Sequence, residues 1–284
     1  MKQNSLSPVT ALSTVVAMIA FAANSVLCRM ALAPDAIDAA SFTTLRLASG
    51  AATLWVLIRV LSKPHSRPGG SWESAIYLFI YAIAFSFAYV SLSAGTGALI
   101  LFGSVQITMI VWALVTGERP HPGRWIGMAI ALGGFIYLVL PGVTAPSPVG
   151  AMLMTAAGVS WGFYSLRRLG DSNPLLATAG NFLRAAPLAL VISLVMLSGT
   201  QATAPGIWLA IASGSLASGL GYVVWYAALR GLSASGAAVV QISVAPVAAE
   251  GGVLLLGEAI SARLVVSSSL ILGGIALALL ARRA

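Results

Sequence analysis

Leu92-Ser93-Ala94, then Gly117-Glu118, then Leu132-Gly133-Gly134 mark out a stretch that recurs 140 positions later, without a gap, as Leu232-Ser233-Ala234, Gly257-Glu258 and Leu272-Gly273-Gly274. Each copy is a long apolar run, a short polar break carrying Gly-Glu, and a second apolar run with a double glycine. Leucines and alanines match often in an apolar chain, so the weight rests on Gly-Glu and Gly-Gly in register. A fixed internal period of this kind marks a unit built twice. The same offset places Phe21 on Trp161, Asn24 on Tyr164 and Ser25 on Ser165, and Arg46 meets Arg184 after a slip of two residues.

Composition puts this chain in a bilayer. Hydrophobic residues make up 59% of its 284 residues and charged ones 8%, against roughly 25% charged in a soluble domain. So few charges cannot cover the surface of a soluble protein this long. The net charge of +8 would suggest nucleic acid in a soluble protein. Here the excess of basic residues in cytoplasmic loops accounts for it, and no nucleic-acid partner is expected. The single cysteine, Cys28, excludes an intrachain disulfide and a multi-cysteine metal site. His65 and His121 sit in short polar loops beside prolines. No Walker A loop, His-Glu-x-x-His or Gly-x-Ser-x-Gly occurs, and Gly219-Leu220-Gly221 lies in an apolar run, where helix packing is its natural role. No cofactor or metal is expected. Ala22-Ala23 resembles a signal-peptide cleavage site, but the surrounding apolar run is long enough to span and reads as the first transmembrane helix.

Windows of about 20 apolar residues, the length that crosses a bilayer, can be laid down ten times. They run from about Val9 to Ala31, Ala36 to Leu61, Trp72 to Leu92, Gly95 to Thr116 and Gly123 to Leu140. The second five cover about Pro148 to Leu166, Pro174 to Leu197, Pro205 to Leu229, Ser235 to Leu256 and Ala262 to Ala281. Proline and glycine punctuate the breaks, as at Pro68-Gly69-Gly70, Pro141-Gly142 and Asn173-Pro174. With the N-terminus inside, eleven Lys and Arg fall on the inner side: Lys2, Arg59, Lys63, Arg67, Arg119, Arg124, Arg167, Arg168, Arg230, Arg282 and Arg283. Only Arg29 and Arg263 fall outside. That bias predicts ten spans with both termini cytoplasmic. Five spans per half is odd, so the second half, 142–284, is predicted to lie upside down relative to the first, 1–141. Many secondary transporters are inverted repeats with substrate near the midplane between the halves.

On these residues the chain resembles the drug/metabolite transporter superfamily, EamA branch. The marks are Gly117-Glu118, Gly133-Gly134, Pro246, Gly257-Glu258 and Gly273-Gly274, and the resemblance covers nearly the whole chain. Gln106 stands in the first half where Pro246 stands in the second, so the halves are unequal. The abundant intramembrane aromatics are most similar to the YddG-type exporters of aromatic amino acids. The resemblance implies an all-α membrane protein of two inverted five-helix repeats that moves small solutes. Related four-helix small multidrug resistance proteins carry a membrane-embedded Glu in the first helix. Val15 to Leu27 holds no carboxylate, which puts proton coupling by that route in question.

Three ionisable residues fall inside predicted spans: Arg46, Arg184 and Glu250. Each costs roughly 2.5–3.5 kcal/mol at mid-bilayer, so each should face protein or a watery cavity. Arg46 lies roughly 12 Å and Glu250 roughly 10 Å below the outer ends of their helices at the helical rise. The two are expected to pair as an outer gate. Arg184 lies towards the inner side, where the repeat-mate of Glu250 is the apolar Ile110; Glu118 is its alternative partner, at a less well matched depth. The alternative is that both arginines only staple helices together. On the third helix Glu73, Tyr77, Tyr81, Phe85 and Tyr89 recur every four positions along one side. Trp161 with Tyr164, and Tyr222 with Trp225 and Tyr226, add aromatics on the sixth and eighth. Trp72, Trp125 and Trp208 suit an interfacial belt. Tyr77, Tyr81, Trp161 and Tyr164 lie too deep for that, and their hydroxyls call for a cavity or a polar partner; core packing is the alternative. The amides Asn24, Gln106, Asn181 and Gln241 can glue helices or hold a zwitterion. Gly127 and Ala131, Ala217 and Gly221, and Gly274 and Ala278 are spaced for close helix contact. Pro187 and Pro246 are expected to kink their helices.

The function expected is a bacterial inner-membrane secondary transporter, not an enzyme, exporting small amphipathic metabolites, chiefly aromatic or apolar amino acids, by alternating access. Asn24, Tyr77, Tyr81, Gln106, Trp161, Tyr164, Tyr222 and Gln241 are expected to bind substrate, with Arg46, Arg184 and Glu250 gating or coupling. One chain holds both halves, so a monomer is expected to suffice. A multidrug or organic-cation exporter with Glu250 as cation or proton site is the alternative. A membrane enzyme acting on lipid-linked substrates would want clustered acids or histidines at one interface, and the seven carboxylates are scattered.

Overall fold

The computed structural model describes residues 7–33, 35–61, 66–117, 122–140, 142, 145–167, 173–232, 240–241 and 243–280. Its helices are α1 (Pro8–Leu32), α2 (Ala39–Leu61), α3 (Trp72–Tyr89), α4 (Ala94–Val115), α5 (Pro122–Val139), α6 (Pro148–Arg167) and α7 (Pro174–Val195). After these come α8 (Ala204–Leu229), α9 (Val244–Leu256) and α10 (Ala262–Leu280). Seven are long and apolar enough to cross a membrane, and α5, α9 and α10 carry shorter apolar stretches. Among the described residues there is no strand, only a lone bridge between Ile37 and Ala202. Helices are what a chain this apolar must form, because hydrocarbon offers the backbone no hydrogen bonds. Large side chains such as Leu254, Val115 and Val195 remain exposed, as lipid-facing residues do. This is a multi-pass helical membrane protein.

Short polar residues set where helices begin. Ser7, Ser71, Ser93, Asn173 and Thr203 each accept a hydrogen bond from the backbone N–H three residues on, which satisfies an orphan donor of the first turn. Proline follows in the first turn of α1, α7 and α8, where its missing N–H costs nothing. The described helix α9 starts at Val244, which puts Pro246 in its first turn, with Val240 and Gln241 helical just before it. Residues 233–239 and 242, where the ninth span was expected to begin, lie outside the described residues. Pro187 does lie inside α7. The eighth helix departs from expectation at Ser213–Leu220, which winds as a π-helix between two α-helical segments.

The helices pack in a pattern that exchanges with itself. α5 lies along α10, α2 along α7 and α4 against α9. α3 packs on α6 as α8 packs on α1, α4 on α6 as α9 on α1, and α3 on α7 as α8 on α2. Renumbering each helix by five turns every pair into another member of the set.

Both Gly-Glu glycines are left-handed, Gly117 at φ 96° and Gly257 at φ 65°, and each ends a helix as only glycine does without strain. Glu118 lies outside the described residues. The double glycines divide their work. A Cβ on Gly274 would sit 2.6 Å from the Gly127 carbonyl oxygen and the Ala131 nitrogen, and one on Gly127 would sit 2.5 Å from the Gly274 oxygen and the Ala278 nitrogen. Gly134 meets Leu270 at 2.6 Å, whereas Gly133 and Gly273 have nothing within 4 Å. The α5–α10 seam therefore depends on the second glycine of each pair. Gly274→Ala is expected to lower the melting temperature in detergent, since the α5 backbone at Gly127 and Ala131 blocks its Cβ. Gly273→Ala is expected to raise stability by up to about 1 kcal/mol through helix propensity. Equal shifts in the two variants would contradict this division.

Candidate functional site

Where α1, α3, α4, α6 and α8 meet, Phe21, Asn24, Ser25, Tyr81, Phe85, Leu101, Phe102, Trp161, Ala217 and Tyr222 enclose a cavity of about 10 Å³. That is room for about one water. Its walls are interlocked rings. Trp161 lies 4.8 Å from Tyr81, 5.1 Å from Tyr222 and 5.4 Å from Tyr164 between ring centroids. Phe21 stands edge-on to Tyr222 at 5.9 Å and to Trp225 at 5.8 Å, and Phe182 closes on Tyr222 at 5.8 Å. Such offset and tilted contacts suit the ring quadrupoles. A solute the size of an amino acid does not fit until the rings move apart.

One side of this aromatic cluster is polar. The Tyr81 hydroxyl accepts from Arg46 Nη2 at 2.9 Å and from Asn24 Nδ2 at 3.3 Å. Ser213 Oγ donates to Asn24 Oδ1 at 2.7 Å, and Arg46 Nε donates to Ser218 Oγ at 3.3 Å. Arg46 is 2% exposed and is the one charged residue in the buried set of described residues. Its guanidinium lies over the Phe85 ring at 4.8 Å and the Tyr81 ring at 5.1 Å, which partly offsets the lost hydration of the cation. Ser213 and Ser218 reach the same cluster because of the π turn. Five residues apart, they would point about 140° apart on an α-helix, whereas i and i+5 stack in a π-helix. Gly214 lets the π turn press on the Arg46 carbonyl.

A second polar cluster ties the end of the bundle where α1, α3 and α9 finish and α4 begins. Arg29 Nε pairs with Glu258 Oε1 at 3.1 Å, and Arg29 Nη1 donates to the carbonyls of Tyr89 at 2.9 Å and Val90 at 3.0 Å. Glu258 Oε2 accepts from the Ala94 N–H at 2.8 Å, at the start of α4, where helix dipole and orphan N–H both favour a carboxylate. The opposite end is held differently. Arg184 Nη1 donates to the Gly69 carbonyl at 2.6 Å and the Gly180 carbonyl at 2.8 Å, and Asn181 Oδ1 accepts from the Ser71 N–H at 3.0 Å. Glu73 pairs with Arg167 on the exposed rim.

Of the residues singled out by sequence, Asn24, Tyr81, Trp161 and Tyr222 line the cavity. Tyr164 is buried just behind Trp161 and accepts from Asn181 Nδ2 at 3.4 Å. Tyr77 belongs elsewhere. It is half-buried and stacks on Phe163 at 5.6 Å, which in turn meets Trp112 at 5.8 Å. Gln106 is buried and Gln241 half-buried, and neither is among the described lining residues. The expected Arg46–Glu250 gate is not formed. Arg46 turns to Tyr81 and Ser218, and Glu250 is exposed on α9. Arg29 pairs with Glu258 instead. Arg184 staples the loop before α3 to α7; its suggested contact with Glu118 lies outside the described residues. Phe21, marked in sequence only as the repeat-mate of Trp161, and Phe85, marked only on the aromatic side of the third helix, also line the cavity, while Ser213 and Ser218 carry no signal in the sequence. The Arg29–Glu258 pair did leave a signal: a Glu in the repeated Gly-Glu and one of only two outer basic residues.

A helical bundle with a closed, aromatic, polar-edged centre and lipid-facing walls is the build of a membrane transporter. Residues 148–280, which begin with α6 and end with α10, match the EamA-like transporter family. An uncharacterized protein of Pseudomonas aeruginosa is 50% identical over 273 residues, 96% of this chain and 95% of its own length. An uncharacterized transporter of Archaeoglobus fulgidus is 28% identical over 70% of this chain and 72% of its own, and the uncharacterized transporter YwfM of Bacillus subtilis 24% identical over 81% of each. A crystal structure 20% identical to this chain shares its fold, with a TM-score of 0.68 over 96% of this chain and 99% of that one. The chain belongs to the EamA-like transporter family.

Cys28 reports on the Arg29–Glu258 lock. It is the one cysteine, fully buried, and adjacent to Arg29. Glu258→Ala removes the acceptor of the Ala94 N–H, leaving Ser93 alone to cap α4, and leaves Arg29 with backbone carbonyls only. The variant is expected to label faster at Cys28 with a membrane-impermeant maleimide and to lose about 1 kcal/mol of stability, the usual value of an N-cap. Unchanged labelling would show that the pair does not hold this end closed.

Proposed function

We propose that this protein is a secondary transporter of the bacterial inner membrane, built of two inverted five-helix repeats, 1–141 and 142–284, with both termini cytoplasmic. It exports small amphipathic solutes, foremost aromatic or apolar amino acids, by alternating access. Three observations support the two-repeat reading. Helix pairs exchange on renumbering by five. The family match coincides with the second set of five helices. Basic residues divide eleven to two between the loop sets.

The observation that carries the substrate class is the central cavity: rings of Phe21, Tyr81, Phe85, Trp161 and Tyr222 around it, with the Asn24–Tyr81–Arg46 hydrogen bonds on one side. An aromatic or aliphatic side chain suits the rings and a small polar head suits that side. At about 10 Å³ the cavity is occluded, with the Arg29–Glu258 pair closing one end. Alternating access then opens one end at a time, and a single chain holds the whole pathway. The organic-cation reading loses its receptor, because Glu250 is exposed and no described carboxylate lines the cavity.

The test is transport by the purified protein in liposomes against an amino-acid panel, with and without a proton gradient. Trp161→Ala and Tyr81→Ala are each expected to reduce transport of aromatic amino acids at least tenfold. Wild-type rates in both variants would remove the cavity from the pathway.

A further inference from the structure

Arg46 carries more hydrogen-bonding capacity than its neighbours use. A guanidinium has five N–H donors and no acceptor. Nε goes to Ser218 and Nη2 to Tyr81, while Nη1 is buried with no partner among the described residues. A buried arginine in a membrane protein ordinarily meets a carboxylate or faces water. Here the described acids are committed or exposed: Asp38 caps α2 and binds the Gln201 N–H, Glu73 pairs with Arg167, Glu258 pairs with Arg29, and Asp35 and Glu250 are exposed. The positive charge is thus held against Tyr81 and Phe85, two rings that also wall the cavity, and no acid among the described residues pairs with it.

We propose that Arg46 is the receptor for a carboxylate on the transported solute, so that the substrate class is aromatic and apolar monocarboxylates, with an amino group permitted but not required. This deepens the transport reading above and rests on it. When the rings part to admit a solute, a carboxylate beside Tyr81 meets Nη1 and completes the shell of the guanidinium. Fork-shaped pairing of this kind is the strongest hydrogen bonding available to arginine. The Tyr81 oxygen already accepts from both Asn24 and Arg46, so its own hydrogen is available to donate to the same carboxylate. An ammonium group finds no such counterpart, since no described acid lines the cavity. An organic cation would meet a like charge.

Three probes of one shape separate the possibilities: phenylalanine, 3-phenylpropionate (acid without amine) and 2-phenylethylamine (amine without acid). Binding to the detergent-purified protein is measured by calorimetry, and each probe is also tested as a competitor of phenylalanine uptake into liposomes. The expected result is that phenylalanine and 3-phenylpropionate bind comparably and 2-phenylethylamine does not. In Arg46→Met, binding of 3-phenylpropionate should weaken roughly 10- to 100-fold, the worth of a hydrogen bond to a charged group. Arg46→Lys should retain part of it. Melting temperatures of both variants show whether they fold, and the wild-type panel stands if they do not. Binding of the amine as tight as that of the acid, or unchanged acid binding in a folded Arg46→Met, overturns the carboxylate assignment and leaves aromatic transport standing. If none of the three probes binds or moves, both readings fall.

Discussion

A helix in hydrocarbon satisfies its own backbone but gains nothing by meeting a neighbour, because lipid tails are as apolar as its own side chains. Association must come from shape and from the few polar groups it carries. In this protein shape is supplied by glycine. The α5–α10 seam closes backbone to backbone at Gly127 and Gly274. Gly158 on α6 would meet the Leu101 carbonyl of α4 at 2.6 Å if it carried a Cβ, and Gly95 on α4 would meet the Ala249 backbone of α9 at 2.9 Å. These contacts fix the frame, and the larger side chains are left to fill its centre. The aromatic cluster sits where the frame leaves room.

Polar groups are then spent sparingly and at definite places. At one end Arg29 and Glu258 tie four helix ends together through carbonyls, a helix N-terminus and each other. At the other, Arg184 and Asn181 hold the loop before α3 by its backbone. Between them lies Arg46, held by hydroxyls and rings without an acid. The two end clusters satisfy themselves. The central one does not, and an incompletely satisfied cation beside a closed aromatic cavity is a poor structural staple but a reasonable binding group. The π turn belongs to the same design, since without it Ser213 and Ser218 would not both reach the site.

Much of this was readable along the chain. The helices are set by apolar length and by capping residues such as Ser71 and Asn173, and both are local. Tyr81 and Trp161 are recognisable as cavity residues because they lie too deep for the interface. The errors share one cause. Tyr77 and Tyr81 are four apart, so the side of a helix they share turns by about 40° per step, enough to send Tyr77 to Phe163 and Tyr81 to the centre. Arg46 and Glu250 were matched by depth, which is only one of two coordinates on a helix. Glu250 is exposed on α9 and does not turn to Arg46.

By itself the sequence determined a multi-pass helical protein with a stretch that recurs 140 positions on, its family, and most of the aromatic residues at its centre, because hydropathy, register and residue type act over a few turns of one helix. Tertiary structure alone decided which glycine of each pair packs, that Arg29 pairs with Glu258 while Arg46 turns to Tyr81 and Ser218, and that α8 unwinds into a π turn. Those outcomes depend on how each helix is rotated about its own axis against its neighbours. That rotation is set by the sum of all contacts in the bundle, and no single stretch of chain encodes it.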